Sequence, residues 1–75
     1  MALYSTDLLI ENVPVSYMVY QEGNRLFFKP ERMVGKKDVP VFWVVKTGDT
    51  WNPINISDKK FIEQVRADIL KHQVD

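Results

Sequence analysis

One stretch limits what this chain can fold into: residues 56–72, ISDKKFIEQVRADILKH, the only segment both long and periodic enough to be read as a helix. At roughly 100° per residue, Phe61, Ile62, Val65, Ile69 and His72 fall on one stripe, and Lys59, Lys60, Glu63 and Arg66 lie away from it. An isolated helix of this length is marginal in water, so the stripe has to be buried against the rest of the chain. Ser57 is the expected N-cap, its hydroxyl accepting from an unpaired N–H of the first turn. Ile56 and Phe61 then have the spacing of a hydrophobic staple. Asp58 in the first turn and Lys71 and His72 near the last agree with the helix dipole. The expected helix runs over about residues 58–73.

What precedes it reads as strand and turn. Leu8-Leu9-Ile10 is a short apolar run before the turn signal Glu11-Asn12-Val13-Pro14; Thr6-Asp7 offers the alternative of capping a single helical turn through Glu11. Residues 15–22 and 25–29 are rich in β-branched and aromatic residues and meet across Gly23-Asn24. Glycine first in a two-residue loop suits a type II′ turn, and that turn fixes the register. Glu22 should face Arg25, Tyr20 face Phe27 and Met18 face Lys29 on one side; Gln21–Leu26, Val19–Phe28 and Tyr17–Pro30 should pair on the other. The second side, with Val15, is the more apolar and is expected beneath the helix.

Pro30 should end the third strand or place it at an edge. Residues 31–39 read as a loop. Val41-Phe42-Trp43-Val44-Val45 has no polar alternation, which predicts a strand covered on both faces. Thr47-Gly48-Asp49-Thr50 is a further turn, and Trp51 can open a short returning strand before Asn52-Pro53. The expectation is one α+β domain over residues 1–75, with strands within about 8–54. They form an antiparallel meander of four strands, or five if residues 50–54 pair, with one C-terminal amphipathic helix packed on one face.

Seventy-five residues bury only about 60% of the surface the unfolded chain exposes, so nine aromatic residues must supply much of a small core. No cysteine is present, which excludes disulfides, a thiol nucleophile and cysteine-based zinc sites. The first residues lack a basic region followed by a long apolar run, and no stretch reaches the ~18 apolar residues of a membrane span. The expected setting is cytoplasmic, without a membrane. Ten basic and ten acidic residues cancel, which disfavours a phosphate backbone as the main partner.

Catalytic chemistry finds little support. His72 is the lone histidine, and no cysteine or second histidine joins it. No carboxylate pair has a spacing that forces two onto one site. Gly35-Lys36-Lys37 lacks the first glycine, the following Ser or Thr and the helix of a phosphate-binding loop. Asn55-Ile56-Ser57 fits the glycosylation pattern but is explained by capping. No catalytic residue, metal or cofactor is expected.

The function itself is not written in these residues, and three readings follow. The first is a small non-enzymatic protein-interaction or self-associating module. Its candidate surface comprises Tyr20, Phe27, Arg25 and Lys29 on the mixed hairpin face, with Leu70 and Val74, which together with Ala67 form a second apolar strip on the helix. The alternative is nucleic-acid binding by the same aromatic and basic hairpin face, where rings stack bases and cations meet phosphates; Glu22 within that face argues against it. The third is a small-ligand or enzymatic site at the polar loop Asp49, Thr50, Trp51 and Asn52.

Overall fold

A computed structural model of the chain describes residues 2–31 and 39–74. Five strands, β1 (Tyr4–Ile10), β2 (Val13–Glu22), β3 (Arg25–Pro30), β4 (Phe42–Thr47) and β5 (Thr50–Pro53), precede one helix, α1 (Lys59–Lys71). The strands pair in chain order as an antiparallel meander curled into a half-barrel, and the helix packs against it, so the fold is α+β with the fifth strand present.

The Gly23-Asn24 hairpin has the register its turn dictates: all six pairs, from Tyr17↔Pro30 to Glu22↔Arg25, are formed. Gly23 has φ +61° and Asn24 keeps ordinary φ, the signature of a type II′ loop. Gly48, at +63°, makes the same kind of turn between Thr47 and Thr50. The first hairpin differs. Glu11 and Asn12 both have positive φ, as a type I′ turn requires, and β1 extends back to Tyr4 instead of forming a helical turn after Thr6. The length of β1 escapes sequence inspection because Thr6, a polar residue, occupies an inward position between Tyr4 and Leu8, where its hydroxyl donates to Asp68 on the helix.

The inner face of the sheet supplies Leu8, Val15, Val19, Leu26, Val44 and Trp51, joined by Val65 and Ile69 from the helix stripe, all buried. At one end Tyr17, Phe28, Phe42 and Phe61 form an aromatic cluster, with Phe28 stacked on Phe42 at 4.9 Å and Phe61 meeting Phe42 edge-on at 5.4 Å. Tyr17 is fully buried and its hydroxyl donates to the Pro40 carbonyl at 2.7 Å. Burial raises its phenol pKa far above the ordinary value.

Several sequence expectations need correction. Asp58, not Ser57, caps the helix: its Oδ1 accepts from the N–H groups of Lys60 at 3.0 Å and Phe61 at 3.4 Å. The first backbone bond of the helix, Ile62 N–H to Asp58 O, starts one residue later than expected, and a carboxylate at that point also meets the positive end of the dipole. Ile56 and Phe61 both pack on the core, but with the cap moved they no longer bracket it as a staple. Second, among the described residues β4 is covered on one face only. Phe42 and Val44 are buried, whereas Trp43 and Val45 are half-buried on the other face and Val41 is 55% exposed.

Third, Val74 is not part of an exposed strip. His72 ends the helix, Gln73 takes φ +54°, and the N–H groups of Gln73 and Val74 donate to Leu70 O and Ile69 O. That is a Schellman turn, and it folds Val74 back against the core. Ala67 and Leu70 remain exposed, Leu70 at 74%. Arg66 lies off the apolar stripe and reaches the edge of β5. The expected loop over residues 31–39, with Gly35-Lys36-Lys37, lies almost wholly outside the described residues.

Candidate interaction surface

The helix closes the inner face and fastens both sheet edges. On the β1 side, Gln64 binds both backbone groups of Leu9. Leu9 stands opposite Pro14, which has no N–H to offer, so the outward orientation of Leu9's groups leaves no ladder bond unmade. On the β5 side, Arg66 Nε donates to Trp51 O at 2.8 Å and an Nη donates to Asn52 Oδ1 at 2.7 Å. A strand edge is otherwise a template for pairing with another chain; here helix side chains take backbone positions on both edges.

Asp68 forms the third fastening. Its side chain is only 9% exposed and accepts from Tyr4 Oη at 3.1 Å and from Thr6 Oγ1. The Tyr4 ring stacks on His72, with centroids 3.9 Å apart and planes 9° from parallel. His72 Nδ1 lies 2.9 Å from the Asp68 carbonyl and 3.8 Å from its carboxylate. Burial, then the Asp68 charge, then the hydrogen bond to it hold the Tyr4 phenol pKa far above the ordinary value. Sequence inspection passed over Asp68, although its place between Val65 and Ile69, at the border of the stripe, was a signal that it sits partly inside.

With the inner face filled, the outer face is left. Register alone aligns Tyr20, Phe27 and Trp43 in one row across β2, β3 and β4, since Tyr20 pairs with Phe27 and Phe27 with Trp43. All three are half-buried. The Phe27 and Trp43 rings lie 4.7 Å apart at 40°, and the Arg25 guanidinium sits 4.7 Å above the Trp43 ring. Glu22 pairs with Arg25 at 2.9 Å, and Met18 faces Lys29 on the opposite side of the row. The row continues outward: Leu3 donates its N–H to Val19 O beside β2, and Ile54 donates to Trp43 O; both side chains are exposed.

The expected hairpin residues Tyr20, Phe27, Arg25 and Lys29 therefore share one surface. Leu70 and Val74 do not join it: Leu70 is on the helix beyond the opposite face of the sheet, and Val74 is folded back against the core just after the helix ends. Trp43, read from sequence as a covered residue, completes the row. It was missed because five consecutive apolar residues carry no mark of which face is left open.

The Asp49–Asn52 loop has a different geometry. Asp49 and Thr50 are exposed in a tight hairpin, Trp51 is buried in the core with Lys46 Nζ 5.7 Å from its ring, and Asn52 is engaged by Arg66. Clefts lie elsewhere among the described residues. A mainly apolar groove of about 760 Å³ opens between the Glu11-Asn12 turn, residues 55–58 and Phe61. A polar one of about 450 Å³ lies beside Asp7, Glu31, Asp68 and His72. Among the described residues no cluster of three or more His, Asp or Glu side chains is placed to hold a metal ion, and no helix is long and apolar enough to cross a membrane. In comparison with known proteins, no family model matches the chain, and neither does a curated protein or a solved structure.

Proposed function

We propose that this chain is a small non-enzymatic interaction module whose outer sheet face takes a protein partner. The observation that carries the reading is the half-buried row Tyr20, Phe27 and Trp43, left uncovered by a helix that occupies the other face. Trp, Tyr, Phe, Met and Arg are the residue types enriched where protein interfaces bind most strongly, and Trp43, Tyr20, Phe27, Met18 and Arg25 stand together here. Strand addition at the sheet edges is disfavoured, because Gln64 and Arg66 occupy backbone groups on them.

Nucleic-acid binding at the same face is the second reading, supported by Arg25 lying over Trp43 and by Lys29 beside the row, an arrangement that can stack bases and meet phosphates. A photoactivatable cross-linker placed at Phe27, with one at Leu70 as the control, separates the readings. Protein adducts at position 27 alone support a protein partner. A salt-sensitive change in Trp43 fluorescence on adding mixed oligonucleotides, absent in Lys29→Glu, supports the second reading instead. Adducts at position 70 with none at 27 defeat both.

A further inference from the structure

Resting on the outer face as the interaction surface, the geometry points to a specific occupant: we propose that a second copy of this chain packs on it, the two sheets back to back with their helices outermost. The register supplies the reason. On this face β2 carries Met18, Tyr20 and Glu22, and β3 carries, at the same three levels, Lys29, Phe27 and Arg25. A two-fold axis parallel to the strands and midway between β2 and β3 exchanges these two columns. It places Glu22 of each copy opposite Arg25 of the other, Tyr20 opposite Phe27, and the thioether of Met18 against the aliphatic stem of Lys29.

Charge selects this axis over its neighbours. An axis lying along β3 would set Arg25 against Arg25, and one lying along the aromatic row would set Arg25 against Lys29. Both bring like charges together next to the apolar centre. The chosen axis keeps the strands of the two sheets aligned, as in face-to-face sheet packing at about 10 Å. It also carries Trp43 on β4 over to the β1 column, where Leu3 is exposed. The formal net charge of zero leaves no long-range repulsion between copies.

The test is sedimentation equilibrium of the full chain, of Glu22→Arg, of Arg25→Glu, and of an equimolar mixture of the two variants, with circular dichroism confirming that each folds. The native chain is expected to dimerise, and each variant alone to dimerise about tenfold or more weakly, because like charges then face each other across the axis. The mixture should recover the native affinity, since positions 22 and 25 are both arginine in one variant and both glutamate in the other, and the axis sets them against each other. A charge pair acting only within one chain would give no such recovery. A native chain that stays monomeric up to about millimolar concentration overturns the second copy as occupant; outer-face adducts to a different protein would then leave the broader reading standing. A dimer indifferent to both variants also overturns it, and moves the contact away from this face.

Discussion

Gln64 holds Leu9 by both ends of its amide: Leu9 N–H donates to Oε1 at 2.6 Å and Nε2 donates to Leu9 O at 3.1 Å. A side chain on the helix thereby occupies the two positions a neighbouring strand would take. Gln64→Leu keeps the volume and removes both bonds. It should cost about 1–2 kcal/mol in urea unfolding, since two modest hydrogen bonds are lost at a site water can partly reach. The Leu9 amide should exchange with solvent faster than its neighbours in β1. Unchanged exchange at Leu9 would show that the helix does not guard this edge.

The capping residue can be decided by comparing two alanines. Asp58→Ala removes the acceptor of two first-turn N–H groups and should cost about 1 kcal/mol. Ser57→Ala should fall within about 0.5 kcal/mol of the parent, as an exposed substitution away from a cap. The reverse order in thermal or urea melts would return the cap to Ser57.

Tyr4 and Tyr17 couple stability to alkaline pH. Both phenols have raised pKa in the folded chain, Tyr4 by burial and the Asp68 carboxylate, Tyr17 by burial. A raised folded value means that the unfolded state loses its protons first. Their contribution is therefore complete below about pH 10, the ordinary phenol value, and is lost as pH rises beyond it. Asp68→Asn removes the charge and should let Tyr4 ionise at lower pH, seen as an earlier rise in tyrosinate absorbance while the chain is still folded. Tyr17→Phe should flatten the alkaline fall in stability even though it gives up the bond to Pro40. An alkaline limb identical in parent and variants would contradict this account.

Neighbouring helix residues should respond in opposite ways. Ile69 is fully buried and Leu70 is 74% exposed. Ile69→Ala should cost about 2–5 kcal/mol, a large share of what a domain of this size has, and Leu70→Ala about 0.5 kcal/mol or less. Equal losses would mean that the helix sits on the sheet with a different face.

The β2–β3 register, the helix stripe and the fold class are legible in the sequence itself, because each rests on local chemistry. Glycine at the first position of a two-residue loop admits few turns, and a turn of known type fixes every cross-strand pair that follows, Tyr20 with Phe27 among them. A stripe of 3.6-residue period marks Val65 and Ile69 as core wherever the helix docks. Less local features escape. Which of Ser57 and Asp58 caps the helix depends on the approach of the chain through Asn55, at φ +64°, and Ile56, not on the intrinsic preference of either residue.

Tertiary placement alone decided the rest. An unbroken apolar run such as residues 41–45 states that both sides of a strand avoid water, not that both are covered; one helix covers one side, and Trp43 is left at the surface. Gln64, Arg66 and Asp68 read as polar residues of an amphipathic helix, and only the curl of the sheet brings β1 and β5 within their reach. Side-chain period is set by the backbone and travels with the sequence. The partners of a polar side chain are set by which distant segment the packed core draws alongside it.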